Sequence, residues 1–210
     1  MLKASFGDAW TVAQKQGGWW GELPKGAAAA AAGDDPRKPS RTFAFVNPQF
    51  DGDAQLYPFH FLPYPSSLFL DGSLAHLPWL QEQPDPLTSA MWSSWVEVNP
   101  KTAAKLGIAA GDVVEITSAH GAVRAGAVIS PGLAPDIIAM PVGQGHQSFT
   151  RFASGRGENP VTILAPVTET ETGALAWAAT RVKAVRVGGP DGKLILFAGS
   201  LREQGDLGRG

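Results

Sequence analysis

The residues best suited to chemistry lie in a glycine-rich stretch, residues 143–160. Its glycines can adopt positive φ angles and present main-chain N–H groups without obstruction by a side chain. Such N–H groups suit phosphate oxygens and the polar edges of heterocycles. The sequence therefore predicts a loop whose backbone can approach a ligand closely. The candidate binding residues in this loop are Gly143, Gln144, Gly145, His146, Arg151, Arg156, Gly157 and Asn159.

The polar side chains of this loop are types that bind nucleotide-like ligands. Gln144 and Asn159 each offer donors and an acceptor for the edge of a heterocycle. His146 can donate to a phosphate, and Arg151 and Arg156 can neutralise a pyrophosphate. A second interpretation stays open: a long surface loop with solvated arginines, in which His146 is hydrogen-bonded for structural reasons.

Other residue types that could do chemistry lack the spacing that chemistry requires. The carboxylates Glu82, Asp85 and Glu97 have no nucleophile or partner near them in sequence, so we interpret them as solvated. The histidines are scattered without metal-ligand spacing, and the serine pairs lack a neighbouring base. We therefore predict no catalytic residue and no metal site in this chain.

The elements that must position the loop are short strands. Residues 95–116 indicate a strand, a short helix capped by Asn99 and Pro100 and ended by Gly107, a tight turn and a second strand. A hairpin to residues 122–129 and a strand at 137–142 follow, and we expect closing strands at 161–164 and 181–187. This pattern favours a compact β-barrel over a βαβ sheet.

Composition limits the possible functions. The 210 residues are 44% hydrophobic with a formal net charge of −2, so global charge gives no support for binding nucleic acid or an anionic membrane. The absence of cysteine excludes disulfides, iron–sulfur ligation and a cysteine ligand to molybdenum within these residues. No apolar run approaches a membrane span, and we expect no signal peptide and no direct membrane insertion.

The domain organisation follows from shifts in composition. Residues 1–41 hold a modest helical pattern around Phe6 and Trp10 and an alanine-rich segment that we expect to be a flexible linker. We predict the barrel over residues 42–188, with a Pro-rich extended path at 63–92. Residues 189–210 are expected to form a C-terminal tail with one further strand.

The barrel motif at 95–116 and the glycine-rich loop together resemble a known family. Residues 43–187 resemble, in order, the C-terminal molybdopterin-dinucleotide-binding domain of the dimethyl-sulfoxide-reductase family of molybdenum and tungsten oxidoreductases. The resemblance implies a mainly β fold, a six-stranded double-psi β-barrel with short helices and a long Pro/Trp-rich N-terminal extension. It also implies that molybdopterin guanine dinucleotide is the ligand of residues 143–159. Such a domain is part of an oxidoreductase and is not catalytic alone.

Three further motifs, residues 78–86, 92–100 and 140–146, make one branch of the family most similar. This branch is the large iron–sulfur subunit of bacterial alternative complex III and related polysulfide-reductase-like proteins. It implies a scaffold without molybdenum cofactor, partner subunits of a respiratory membrane complex, and a position at the periplasmic side of the inner membrane. Cofactor-binding members have a Leu-x-Thr-x-Arg-like segment, whereas residues 62–67 here contain no arginine.

Three hypotheses follow from the sequence. The chain either holds the dinucleotide for a metal site carried elsewhere or is a scaffold domain of a respiratory complex. The third is a free-standing double-psi barrel that serves as a protein-interaction module. The resemblance also predicts that the chain is a fragment, a split gene product or a short subunit of what the family encodes as a longer polypeptide.

Overall fold

The computed structural model describes residues 6–18, 47–170, 172–191 and 194–197. The chain divides into two compact units, residues 1–47 and 48–210. The predicted linker and the apolar segment at 43–46 lie outside the described residues. The predicted boundaries at 41/42 and 188/189 therefore stay predictions.

The first unit contains helix α1, Phe6–Gln16, which confirms the helical pattern in this segment. Asp8 lies in its first turn and Lys15 in its last, so both charges complement the helix dipole. Gly17 follows with a φ of 71°, the left-handed conformation that commonly terminates a helix. Within the described ranges, no helix is long and apolar enough to span a bilayer.

The second unit is a closed six-stranded barrel, which confirms the mainly β prediction. The strand order around the barrel is β1-β6-β3-β5-β4-β7, and β2 and β8 form a separate two-stranded sheet. Two pairs, β1 with β6 and β3 with β5, are parallel, whereas the remaining barrel pairs are antiparallel. The strands are β1 Phe59–Pro65, β2 Ala90–Met91, β3 Trp95–Val98, β4 Val113–Thr117, β5 Ala122–Ile129, β6 Ile137–Val142, β7 Arg181–Gly188 and β8 Ile195–Leu196.

Short helices connect the strands. They are α2 Pro78–Glu82, α3 Pro100–Leu106, α4 Thr150–Ala153 and a 3₁₀ helix at Pro160–Ile163. Helix α3 begins as the sequence predicts, because the Asn99 Oδ1 atom accepts from the Lys101 N–H at 2.8 Å and proline occupies the first position. It ends at Gly107, whose φ of 67° is left-handed.

The closing strand predicted at 161–164 is wrong, because this segment is the 3₁₀ helix. Pro160 fixes a φ that suits a helical start, and the Asn159 Oδ1 atom caps it by accepting from the Val161 N–H at 3.0 Å. The Thr162 hydroxyl adds a bond to the Asn159 carbonyl at 2.8 Å. Only Ile163 is fully buried, so the apolar run plugs the barrel core with one side chain instead of pairing as a strand.

The barrel interior is filled by alternate residues of the strands. Val96 and Val98 of β3 and Val114 and Ile116 of β4 are fully buried, whereas Glu97 between the two valines faces outward. Each such aliphatic side chain stabilises the fold by about 1.5–3 kcal/mol through burial. The period of two in sequence therefore becomes an inside and an outside in the closed barrel.

A buried ion pair fixes the turn into β4. The Asp112 Oδ2 atom accepts from the Arg186 Nε at 2.6 Å and from the Ala109 N–H at 2.8 Å, and the Asp112 residue is 3% exposed. Burial alone would raise the pKa of this carboxyl. The hydrogen bonds from Arg186 and Ala109, with the attraction of the guanidinium, outweigh burial and lower the pKa of Asp112 below its usual value.

Asp112→Asn should destabilise the barrel and change its response to acid. Because the folded-state pKa is depressed, the carboxylate contributes stability above its ordinary pKa of about 3.9, and that stability is lost as the pH falls further. We expect the free energy of unfolding at pH 7 to fall by about 1–2 kcal/mol and its decline below pH ~4 to become shallower. Urea unfolding at several pH values measures both effects.

Glu115→Gln is the matched control, because the Arg124–Glu115 pair is an exposed ion pair on the same strand. An exposed pair contributes about 0–1 kcal/mol. An equal loss in both variants, with the same acid profile, would contradict the role assigned to Asp112.

Candidate functional site

The glycine-rich loop follows β6 and folds as two arms that pair with each other. The first arm is residues 143–146 and the second is residues 155–159, with α4 between them. The Gly145 N–H donates to the Arg156 carbonyl at 2.7 Å, and the Gly155 N–H donates to the His146 carbonyl at 2.8 Å. These bonds hold the two arms side by side at the rim of the barrel.

Two glycines of the loop are required by contacts within the chain itself. A Cβ at Gly145 would overlap the Asn159 N atom and lie 2.7 Å from the Asn159 Cβ. A Cβ at Gly157 would overlap the Ser94 hydroxyl and lie 2.8 Å from the Gln144 Cβ. Both residues also have positive φ, 88° and 58°. The loop therefore uses the missing side chains to bring its own segments together.

Gln144 does not face solvent. It is 6% exposed, and its Nε2 atom donates to the Oε1 atom of Gln81 at 2.7 Å. Gln81, on α2, is fully buried and donates in turn to the Ala75 carbonyl at 2.8 Å. This buried amide pair connects the loop to the Pro/Trp-rich segment, and sequence reasoning missed Gln81 because a single glutamine in a short helix carries no signal.

His146 has the structural type of contact that the second interpretation of the loop describes. Its Nε2 atom lies 3.1 Å from the Gly72 carbonyl, and its ring lies 4.9 Å from that of Phe149. It also lines a small hollow of about 310 Å³ with Gly72, Ser73 and residues 147–149. His146 is therefore held by its own chain on one side and borders an open space on the other.

The two predicted arginines and Asn159 remain at the surface. The Arg151 Cζ atom lies 4.5 Å from the centre of the Phe152 ring, and the Arg156 Cζ atom lies 5.0 Å from that of Trp92. Asn159 uses its Oδ1 atom to cap the 3₁₀ helix. These side chains keep N–H groups available, but the structure does not collect them in one place.

The second arm borders a groove of about 680 Å³ that joins some predicted residues with unpredicted ones. Arg156 and Gly157 are the members of the predicted set that line it. The other lining residues are Trp92, Ser93, Ser94, Val113, Arg124, Ala125, Gly126, Gly155, Glu158, Val187, Gly188, Gly189, Asp191 and Ile195. Gln144 and His146 do not line this groove, so the candidate residues divide between different surroundings.

Ser93 and Ser94 have opposite situations at this groove. The Ser94 hydroxyl accepts from the Glu158 N–H at 2.9 Å and lies 3.2 Å from the Glu158 carbonyl, so it tethers the second arm. The Ser93 hydroxyl is buried and has no hydrogen-bond partner among the described residues. The sequence showed neither role, because the partner of Ser94 lies 64 positions away.

A tyrosine and a glutamate join two strands on the outer face of the barrel. The Tyr64 hydroxyl on β1 donates to the Glu97 Oε1 atom on β3, and the Trp95 Nε1 atom lies 3.4 Å from the same oxygen. Burial, and then the bond to Glu97, raise the pKa of Tyr64 far above its ordinary value. Glu97 is therefore a structural acceptor and not solvated, which corrects the sequence interpretation. Over the described residues, no cluster of metal ligands occurs.

The fold and the loop define the class of this chain, a closed β-barrel of the type found in molybdopterin enzymes. The structure of acetylene hydratase from Pelobacter acetylenicus is similar, with a TM-score of 0.52 and 18% identity, over 68% of this chain and 21% of that chain. At this identity the similarity shows the fold alone. Residues 80–176 match the family model described as Molydopterin dinucleotide binding domain.

Curated relatives agree with the family match. The chain is 41% identical over 88 residues to the menaquinone reductase, molybdopterin-binding-like subunit of Nitratidesulfovibrio vulgaris, covering 42% of this chain and 13% of that protein. It is 30% identical over 152 residues to a tetrathionate reductase subunit of Archaeoglobus fulgidus, covering 71% of this chain and 13% of that protein. It is 29% identical over 141 residues to the arsenate respiratory reductase molybdopterin-containing subunit of Chrysiogenes arsenatis, covering 63% and 16%.

The barrel is thus a domain of the molybdopterin oxidoreductase family, as the sequence predicted. The chain spans only 13% to 16% of the length of these relatives. The matched part corresponds to the dinucleotide-binding domain, and the assignment of cofactor contacts to individual residues stays a prediction.

Ser94→Ala should destabilise the loop, whereas Ser93→Ala should not. The first change removes the bonds to Glu158 and leaves a main-chain N–H without its partner, so we expect a loss of about 1–2 kcal/mol in the free energy of unfolding. The second removes an unpaired buried hydroxyl and should leave stability unchanged or raise it by up to about 1 kcal/mol. Chemical denaturation compares them, and equal losses would contradict the assigned roles.

Proposed function

We propose that this chain is a scaffold domain of a molybdopterin oxidoreductase-family subunit in a respiratory electron-transfer complex. In this proposal the first arm of the loop is closed by the chain's own side chains and does not grip a dinucleotide. The observation that carries the proposal is the buried amide pair between Gln144 and Gln81. It occupies the residue with which the first arm was predicted to contact a heterocycle.

The cost of opening the arm supports this proposal. Freeing the Gln144 amide would leave the Gln81 side chain buried without its partner, and such a loss costs about 1–3 kcal/mol. The niches beside Gly145 and Gly157 are filled by Asn159 and Ser94, so a ligand finds no space there. The fit of the first arm to a dinucleotide is therefore poor.

The segment in which cofactor-binding relatives have an arginine supports the same conclusion. Here Tyr64 bonds to Glu97, and the buried Ser66 hydroxyl accepts from the Leu68 and Phe69 N–H groups at 3.2 Å. No cation in residues 62–67 is present to hold a phosphate. The relative named as a molybdopterin-binding-like subunit is consistent with a scaffold role.

The wider context of the proposal rests on the family. We place this domain with partner subunits of a membrane-associated respiratory complex similar to alternative complex III, on the periplasmic side. Its substrates, electron carriers and partners belong to the parts of the subunit beyond the 13% to 16% that this chain matches.

A second candidate function is supported by the groove beside the second arm. Arg156, the Gly157 main chain and Arg124 offer donors there, which suit the pyrophosphate of molybdopterin guanine dinucleotide. When bound, that group supplies redox chemistry through a metal held by other residues. In this candidate the chain would only bind and orient the dinucleotide and exclude water from it.

Titration with molybdopterin guanine dinucleotide, and with GDP as a surrogate, tests the two candidates. For the scaffold we expect no saturable change in tryptophan fluorescence and no shift in thermal unfolding. Circular dichroism must show that the chain is folded during the titration. Saturable binding that is lost in both Arg156→Ala and Asn159→Ala would overturn the scaffold proposal and establish the dinucleotide-holding one.

A double-mutant cycle on the amide pair tests the structural role of Gln144 directly. Gln144→Leu should lower the free energy of unfolding by about 1–3 kcal/mol, because it leaves the Gln81 Oε1 atom without its donor. The double variant with Gln81→Leu should recover part of this loss, because no Gln81–Gln144 partner is then left unpaired. Additive losses in the two single variants would show that the pair is not coupled.

A further inference from the structure

Strand β5 is longer than the neighbour with which it closes the barrel. It pairs with β4 over residues 122–126, and with β3 only over residues 126–129. The positive φ of Trp92, 54°, redirects the chain before β3, and Ser94 bonds to Glu158 instead of β5. Within the described ranges, residues 122–125 therefore have a strand neighbour on one side only.

The direction of the main-chain groups follows from the bonds at the other end of β5. The Ala127 N–H donates to the Asp112 carbonyl at 2.8 Å, so the groups of Ala127 face β4. The Ser130 N–H donates to the Val98 carbonyl at 3.0 Å, so those of Ser130 face β3. Because these directions alternate along a strand, the N–H and C=O groups of Arg124 and Ala122 face away from β4.

This free edge at Arg124 borders the groove beside the second arm of the loop. Three partly exposed aliphatic side chains, those of Val113, Val187 and Ile195, line the same groove. An unpaired strand edge next to apolar side chains is the arrangement that accepts an added strand from another polypeptide.

We propose that the edge of β5 at Arg124 is a docking site for an extended segment of a partner chain. Main-chain hydrogen bonds to Arg124 and Ala122 hold this segment, and its apolar side chains pack against Val113, Val187 and Ile195. The site is separate from the closed first arm of the loop and does not depend on whether the barrel holds a cofactor.

The charges in the groove define the chemistry of the segment. The Arg124 Nε atom already donates to the Glu115 Oε2 atom at 2.7 Å. The Arg156 guanidinium is stacked on the Trp92 ring, which leaves its N–H groups in the plane free for a carboxylate. The segment therefore carries alternating apolar residues and an acidic residue placed to reach Arg156.

Peptide selection against the folded chain tests this proposal. A random peptide library displayed on phage is selected on the wild-type protein, and a selected peptide is synthesised with a fluorescent label. We expect the selected sequences to alternate apolar residues and to contain an acidic residue. Titration then compares the wild type with Arg124→Pro and Arg124→Ala.

The two variants separate main-chain from side-chain recognition. Arg124→Pro removes an N–H that faces the groove and not β4, so the barrel is retained and peptide affinity falls about tenfold. Arg124→Ala keeps the N–H and should bind within about threefold of the wild type. Arg156→Ala should weaken peptides with the acidic residue and leave peptides with glutamine at that position unchanged.

Hydrogen exchange provides a measurement that needs no variant. The Arg124 amide should exchange quickly in the free chain and become protected when the selected peptide is added. The proposal is overturned if no peptide is enriched, if the amide stays unprotected, or if Arg124→Ala abolishes binding while Arg124→Pro retains it. Displacement of the peptide by GDP would assign the groove to a nucleotide instead.

Discussion

The absence of side chains at Gly145 and Gly157 is the constraint on which the loop and its surroundings depend. Any Cβ at these positions would overlap the chain's own atoms at Asn159 and Ser94. Because the arms can approach so closely, the main chain of one arm bonds to the other, and Gln144 enters the interior. The same contacts that build the rim of the barrel therefore remove the first arm from the groove.

The barrel and the loop divide their tasks in a way that follows from burial. The polar residues Gln81, Gln144 and Asp112 are almost fully buried and have partners, so they stabilise the structure. Arg124 and Arg156 remain exposed beside the groove. A fold shared with cofactor-binding enzymes can thus retain its architecture while the chemistry available at its surface changes.

Local patterns predicted the elements that local interactions determine. Asn99, Pro100 and Gly107 define helix α3 through contacts within a few residues, and the structure confirms all three roles. The segment after Pro160 has a strand-like composition but forms a 3₁₀ helix, because its proline, its cap and one buried isoleucine outweigh β propensity. The candidate site was predicted as one set, and the structure divides it between the interior, a small hollow and the groove.

The sequence by itself determined the short strands, the capped helix, the glycine loop and the family, because each depends on residue types at short spacing. Only the tertiary structure decided the use of these parts. The partners of Gln144 and Ser94 lie 63 and 64 positions away, and the free edge of β5 exists because β3 pairs with only its second half. Such relations arise from barrel closure, which brings distant segments together at distances that no local pattern encodes.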